Sequence, residues 1–159
     1  MKLGTLCYIE KDNKYLMLHR TKKENDMHEG LYVGLGGKLE AGESPEECVI
    51  REVLEESGLQ IRAPWLRGVM TFPKFDKQQE DWYVFLFTAT DFDGDVKTCN
   101  EGELVWVDKD KLDKLPMHSG DYLFFEWIEK YKGVFSAKFV YDNGVLINHE
   151  IVEYGAVTS

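Results

Sequence analysis

The sequence has few cysteines and no long apolar run. Cys7, Cys48 and Cys99 form an odd, widely spaced set with no CxxC pair, which excludes a disulfide framework and a cysteine zinc site. No stretch approaches the roughly 18 consecutive apolar residues that a membrane span requires. The segment Met1–Glu10 lacks the basic-then-apolar pattern of a secretory signal. We therefore expect a soluble, cytoplasmic protein that does not contact a membrane.

Basic residues are also in deficit. Nineteen Lys and Arg stand against 29 Asp and Glu, so the formal charge is −10. This balance argues against a broad basic surface for duplex nucleic acid. A small polyanion can still bind, provided that clustered carboxylates hold divalent cations that bridge to it. With 159 residues, the chain is long enough for one domain with its own core. It is compatible with either a monomer or a homodimer.

Strand-like patterns dominate the chain. The candidate strands are Leu3–Ile9, Tyr15–His19, Leu31–Leu35, Trp65–Phe75, Trp82–Thr90, Leu104–Val107, Phe135–Tyr141 and Val145–Val152. Apolar residues at helical spacing predict a helix between Ser44 and Gly58 and another over Asp121–Lys132, and the polar stretch Thr21–Glu29 is predicted to be a loop. No repeat or linker interrupts the chain. We expect a single domain over residues 1–159, with two helices and a largely antiparallel or mixed sheet.

The first predicted helix carries clear end signals. Ser44 suits the N-cap, Pro45 the first helical position, and Glu47 completes a capping box. Gly58 supplies a left-handed stop. The sequence therefore predicts where this helix begins and ends.

The same helix separates acidic from apolar residues. Glu52, Glu55 and Glu56 share one face. Arg51 stands four residues before Glu55 and can pair with it. The opposite side is predicted to face the core with Ile50, Val53 and Leu54. A solvated acidic face is one interpretation, and a site for Mg²⁺ or Mn²⁺ is the other, because carboxylate oxygens are the ligands that these cations prefer.

A glycine-rich segment, Gly34-Leu35-Gly36-Gly37-Lys38, precedes this helix. Glycine lets a backbone approach a ligand closely, although such clusters also mark tight bends. The spacing of a P-loop and that of a dinucleotide-binding GxGxxG motif are both absent.

Taken together, these segments form one longer motif: Gly37, five residues, Glu43, seven residues, then Arg51-Glu52-Val53-Leu54-Glu55-Glu56-Ser57-Gly58-Leu59. The motif resembles the Nudix box in full. More loosely, the order of elements over nearly the whole chain resembles the MutT-like branch, which includes the oxidised purine nucleoside triphosphatases. The resemblance implies an α/β (α+β) fold, an α/β/α sandwich around a mixed sheet.

The resemblance also implies roles for particular residues. Mg²⁺, with Mn²⁺ as a possible substitute, would be bound by the carboxylates of Glu52, Glu55 and Glu56 and the carbonyl of Gly36. Arg51 would orient a glutamate, Lys38 would neutralise a phosphate oxygen, and Glu43 would support the loop or the outer metal shell. Hydrolysis of a phosphoanhydride needs an activated water and a stabilised leaving group, which clustered divalent ions can provide.

A general base could come from the loop Asn100–Glu103. Glu101, five residues before Trp106, is the first candidate for the base or a further metal ligand, and Glu103 is the second. Gly102 is expected to let this loop bend toward the helix. Both acids could instead be exposed turn residues.

The base-binding residues depart from the pattern of the oxidised-purine enzymes. Tyr32-Val33 replaces an aromatic-Asn pair, so the Asn that reads the base is missing. Asp121 is the only acid at the second base-reading position. Tyr32, Phe72 and His118 could stack on or enclose a base. Core packing of Tyr32 and Phe72, and a solvated His118 with no second His at ligand spacing, are the alternatives.

Three functions remain compatible with the sequence. The first is diphosphatase action on 8-oxo-dGTP or related oxidised purine nucleotides, which would remove damaged nucleotides from the pool and so assist DNA repair. The second is Nudix hydrolysis of another small nucleotide: an unmodified (d)NTP, a nucleotide sugar or a dinucleotide polyphosphate. The third is a noncatalytic Nudix-like binding module, disfavoured because every carboxylate of the box is present.

Overall fold

A computed structural model describes residues 1–21 and 28–155 of the chain. Most of the predicted loop Thr21–Glu29 lies outside these residues. The described strands are β1 Lys2–Lys11, β2 Lys14–Arg20, β3 Tyr32–Val33, β4 Gln60–Arg62, β5 Trp65–Phe72, β6 Trp82–Ala89, β7 Asp91–Asp93, β8 Gly102–Asp108, β9 Phe135–Asp142 and β10 Val145–Glu153. The two α-helices are α1 Pro45–Ser57 and α2 Ser119–Lys130, and a 3₁₀ helix spans Lys109–Lys114.

Eight strands form one mixed sheet. Its order is β10-β9-β5-β6-β1-β2-β3, and β8 also pairs with β2. The pairs β1–β6 and β5–β9 are parallel, whereas the other pairs in this sheet are antiparallel. The predicted mixed sheet is therefore confirmed, and β1–β2 and β9–β10 are antiparallel hairpins within it.

The two faces of the sheet support two apolar layers. Along β1, Cys7 and Ile9 pack in the layer with α1, while Tyr8 between them packs in the layer with α2. This alternation is what a strand buried on both faces requires, because successive side chains point to opposite sides. The predicted α/β/α sandwich is thus confirmed. Within the described residues, neither helix is long and apolar enough to cross a membrane.

The ends of α1 follow the sequence signals. The Ser44 side chain accepts a hydrogen bond from the Glu47 amide at 3.1 Å, and the Glu47 carboxylate accepts one from the Ser44 amide at 2.9 Å. Gly58 ends the helix at φ 81°. The predicted core face is wrong at Leu54, which is 42% exposed. Cys48 and Val49, one turn earlier, are buried with Val53 instead, so the apolar stripe is rotated about the helix axis.

Other elements also differ from the sequence predictions, including β3, which spans only Tyr32–Val33 of the predicted Leu31–Leu35. The strand predicted to run to Phe75 ends at Phe72, because Lys74 adopts a left-handed conformation at φ 45° and turns the chain. Helix α2 begins and ends two residues before its predicted limits. The short sheet of β4 and β7 has no counterpart in the predictions, since three-residue strands carry little periodic signal.

Candidate active site

The glycine-rich segment lies along β1. The Thr5 amide donates to the Gly37 carbonyl at 2.8 Å, and the Cys7 amide donates to the Leu35 carbonyl at 2.6 Å. Gly36 has φ 149°, and a Cβ at this position would lie 2.0 Å from the Thr5 carbonyl oxygen. Glycine is therefore required here for close packing of backbone on backbone.

Two glutamates of α1 reach this segment. The Gly36 amide donates to Glu56 Oε1 at 2.7 Å. A Cβ at Gly37 would lie 2.4 Å from the carboxyl carbon of Glu52, so the absence of a side chain makes room for that carboxylate. The pKa of Glu56 is raised to about 8, mainly by burial and also by the charges of Glu101 and Glu52, against the lowering effect of the hydrogen bond from Gly36.

Arg51 connects the acids of the loop and the helix. Its Nε and Nη2 donate to the two carboxylate oxygens of Glu43 at 2.7 and 2.9 Å, a bidentate pair. Its Nη1 donates to Glu52 at 2.8 Å and to Glu55 at 3.4 Å. The predicted pairing with Glu55 is present, but Glu43 is the closer partner. The hydrogen bonds from Arg51 hold the pKa of Glu43 at about 2.

The donor set of this region fits a divalent cation by its chemistry. Glu52 and Glu56 bring carboxylate oxygens to the turn that contains Gly36, and oxygen is the donor that Mg²⁺ prefers. Glu55 is turned toward solvent, with 59% of its side chain exposed. Within residues 1–21 and 28–155, no three His, Cys, Asp or Glu side chains converge to hold a metal ion as they stand. Of the three predicted glutamates, Glu52 and Glu56 contact the glycine turn, whereas Glu55 contacts Arg51.

Glu101 lies near the acidic helix, whereas Glu103 makes none of the contacts that Glu101 makes within the described residues. Glu101 accepts a hydrogen bond from Arg20 at 3.0 Å, and its charge raises the pKa of Glu56. Glu103 is exposed on β8, opposite His19 in the ladder, so its predicted place in the loop is wrong.

Gly102 has a different role from the predicted one. A Cβ there would lie 1.8 Å from the His19 carbonyl oxygen. The residue thus permits the close approach of β8 to β2. Strand β8 therefore begins at Gly102, directly after Glu101.

A cavity of about 440 Å³ is lined by Glu56 of the acidic helix and by residues of the sheet. Gly36, Gly37, Lys38 and Glu56 line it on the α1 side. The Lys38 ammonium lies over the Trp82 ring, 5.8 Å from its centroid, and the Lys38 carbonyl accepts a hydrogen bond from Arg51 at 3.2 Å. The predicted phosphate-binding lysine therefore stands at the same cavity as the acidic helix.

Aromatic residues line much of the remaining cavity. Phe72 lines it and stacks on Phe139 with ring centroids 5.4 Å apart. His118 also lines it, and His28 Nδ1 lies 2.6 Å from His118 Nε2. The fold thus brings a second histidine to His118, which the sequence spacing did not indicate.

Tyr32 is not among the cavity-lining residues. Its ring stacks on His19, with centroids 4.1 Å apart and planes within 3°. The next residue along β3, Val33, lines the cavity instead. Neighbouring residues of a strand face opposite sides, so only one of this pair can point into the cavity. The structure therefore does not bring Tyr32 to the position predicted for it.

Asp121 lies in the first turn of α2 and lines the cavity. The residue is only 7% exposed. Burial raises the pKa of Asp121 well above its ordinary value, which favours the protonated acid. A protonated carboxyl group can both donate and accept a hydrogen bond.

Sequence reasoning also missed Arg20, Trp82 and Tyr8 at this site. Arg20 lines the cavity and binds Glu101. Trp82 lines it beneath Lys38, and its indole donates to Asp76 at 2.9 Å. Tyr8 lines it from β1. All three lie within or at the ends of strands, where the sequence pattern indicates core or edge positions and carries no signal for a cavity.

Comparison with known proteins places the chain in a family. A model of the NUDIX domain matches residues 2–128. The chain is 36% identical to the uncharacterized Nudix hydrolase YvcI of Bacillus subtilis over 140 residues, 86% of this chain and 85% of the relative. It is 28% identical to the oxidized purine nucleoside triphosphate hydrolase of Danio rerio over 155 residues, 96% of this chain and 95% of the relative.

A solved structure supports the same placement. The MutT protein from Bacillus halodurans superposes with a TM-score of 0.84 at 31% identity, over 95% of this chain and 97% of that one. Other matched proteins are named for ADP-ribose or NAD-capped RNA, so the family match does not fix a substrate. The chain belongs to the Nudix family of hydrolases, in its MutT-like branch.

Proposed function

We propose that this protein hydrolyses a nucleoside triphosphate to the monophosphate and pyrophosphate, with 8-oxo-dGTP or a related oxidised purine nucleotide as substrate and Mg²⁺ as cofactor. One observation carries the proposal: a single cavity joins Glu56, Gly36 and Lys38 to an aromatic region that contains Asp121. In such a cavity, Glu56 and Gly36 offer oxygen ligands for a metal ion, and the ammonium of Lys38 offers a positive charge for phosphates. The aromatic region offers stacking and hydrogen bonding for a base. The name of the zebrafish relative supports this substrate class.

The residues near the acidic helix have separate tasks in this proposal. A bound divalent cation would stabilise charge on the phosphoanhydride and lower the pKa of the attacking water. Glu52, Glu55, Glu56 and the Gly36 carbonyl are the proposed ligands. Arg51 positions Glu52 through its 2.8 Å contact. Glu43 supports these ligands indirectly, because it holds Arg51 in place through the bidentate pair.

The remaining proposed roles concern the substrate. Lys38 neutralises a phosphate oxygen, and its carbonyl contact with Arg51 ties it to the acidic helix. Glu101 takes a proton from the attacking water, and its hydrogen bond from Arg20 fixes its orientation. Phe72 and His118 enclose the base, and Asp121 contributes a hydrogen bond to it.

A panel of substrates tests this proposal. The purified chain is assayed with Mg²⁺ on 8-oxo-dGTP, dGTP, dATP, ADP-ribose, a nucleotide sugar and a dinucleotide polyphosphate, and the products are resolved by chromatography. We expect kcat/KM for 8-oxo-dGTP to exceed that for dGTP by at least about tenfold, because buried polar groups discriminate strongly between base edges. A higher kcat/KM for any of the last three substrates would assign the protein to another Nudix activity. Absence of turnover on the whole panel would favour a binding module.

A further inference from the structure

The hydroxyl of Tyr8 has an unusual environment. Tyr8 is fully buried, and within the described part of the chain its hydroxyl has no hydrogen-bond partner. Its ring packs on Phe124 and Phe125, with centroids 5.8 and 4.6 Å away. The nearby Gly34 backbone lowers the pKa of Tyr8, but this effect is smaller than that of burial, which raises it. Since buried polar groups are nearly always paired, this hydroxyl needs an explanation.

Tyr8 lies in the wall of the cavity described above. Tyr8, Gly34, Phe124 and Asp121 all line it. A Cβ at Gly34 would lie 2.9 Å from Cζ of Tyr8, the carbon that bears the hydroxyl, so the absence of a side chain at Gly34 makes room for that end of the ring. Burial raises the pKa of Tyr8 well above its ordinary value, and the charge of Asp121 raises it further.

We infer that Tyr8 reads the base of the bound nucleotide together with Asp121, and that its hydroxyl is a specificity-determining group. The inference rests on the proposed function, because it takes the occupant of the cavity to be a nucleotide. Both groups can donate and accept a hydrogen bond. They therefore complement a purine edge on which an oxo group stands beside a ring N–H. Val33 lines the same cavity with an apolar side chain, so it cannot supply these hydrogen bonds.

Removal of the hydroxyl alone tests this inference. Tyr8→Phe keeps the ring and its aromatic packing. The matched control is Tyr15→Phe, because Tyr15 is also buried but its hydroxyl donates to Glu129 at 3.3 Å, at a different surface. Binding of 8-oxo-dGMP, dGMP and dAMP is measured by titration calorimetry, turnover of 8-oxo-dGTP by steady-state kinetics, and stability by thermal unfolding.

We expect Tyr8→Phe to raise the Kd for 8-oxo-dGMP and the KM for 8-oxo-dGTP by about 3- to 10-fold, the value of one neutral hydrogen bond. The Kd for dAMP and kcat should change less than about twofold. The melting temperature should be unchanged or higher, because an unpaired buried hydroxyl is removed. Tyr15→Phe should leave all binding constants unchanged.

Each contrary result has a distinct meaning. If wild type hydrolyses 8-oxo-dGTP and Tyr8→Phe matches it in Kd and KM, the inference fails while the proposed function stands. An equal loss of affinity for all three monophosphates, accompanied by a lower melting temperature, would show that the hydroxyl is structural and would also overturn the inference. If wild type neither binds the monophosphates nor hydrolyses a nucleoside triphosphate, the proposed function fails and the inference fails with it.

Discussion

The position of the Glu52 carboxylate depends on residue 37 having no side chain. A Cβ there would lie 2.4 Å from the carboxyl carbon of Glu52, where ordinary contact begins at 3.4 Å. Gly37→Ala should therefore displace the carboxylate by about 1 Å. The backbone at Gly37 does not have positive φ, so alanine can adopt it. The displaced carboxylate would lose its 2.8 Å contact with Arg51.

The expected effects on activity and stability differ sharply. A misplacement of about 1 Å at a catalytic group costs roughly a hundredfold in rate, so turnover of the preferred nucleotide should fall by about that factor. The displaced group is the far end of a flexible side chain in a partly exposed ion pair. The free energy of unfolding should consequently fall by no more than about 1 kcal/mol.

The neighbouring glycine provides the matched control. Gly36→Ala would place a Cβ 2.0 Å from the Thr5 carbonyl oxygen, at φ 149°. Because backbone cannot move aside cheaply, this variant should lose more than about 2 kcal/mol of stability. Urea unfolding and Mg²⁺-dependent turnover are measured for both variants. Wild-type turnover in Gly37→Ala would refute the reasoning, and so would a loss of stability equal to that of Gly36→Ala.

Three further predictions concern the acids around the cavity. Glu101→Gln should lower kcat by about a hundredfold without rescue by added Mg²⁺, whereas the exposed Glu103→Gln should stay within about twofold of wild type; the reverse order would make Glu103 the base. Asp121→Asn should raise the melting temperature at pH 7. Burial raises the pKa of Asp121 in the folded protein, so ionisation of this group favours the unfolded state and the fold loses stability as pH rises above the ordinary value of 3.8. The same variant should reduce the preference for 8-oxo-dGTP over dGTP, and an equal loss on every nucleotide would assign Asp121 to structure. Because Arg51 lowers the pKa of Glu43 from 4.5 to about 2, their pair stabilises the fold above pH 4.5 and is lost as pH falls toward 2. The stability of Glu43→Gln should lack this loss between pH 4.5 and 2. A plot of stability against pH parallel to that of wild type would contradict the prediction.

The acidic helix was predictable because its information is local. Capping residues, the stop glycine and the spacing of Glu52, Glu55 and Glu56 all lie within 15 consecutive positions, and the structure has the same helix. Its apolar face was less predictable. Leu54 lies next to Val53 in sequence, yet it is exposed, because the axial rotation of a helix is set by the sheet on which it packs.

The aromatic end of the cavity was less predictable, since it is assembled from distant segments. His28 and His118 are 90 residues apart in the chain and lie in contact. Tyr8 appears in sequence as one more apolar strand residue. Tyr32 was predicted at the cavity from its neighbours in the motif, but the facing of a two-residue strand depends on its register, here the pairing of Tyr32 with His19.

Titration of turnover with Mg²⁺ in Glu56→Gln tests most directly whether the acidic helix and the cavity form one catalytic site. The variant keeps the shape of the side chain and removes its ability to ionise next to Gly36. The control is Glu46→Gln, an exposed acid in the first turn of the same helix. We expect Glu56→Gln to lose at least about a hundredfold in kcat/KM for 8-oxo-dGTP at every Mg²⁺ concentration while remaining folded, and Glu46→Gln to match wild type. Near-wild-type turnover of Glu56→Gln at limiting Mg²⁺ would contradict the account.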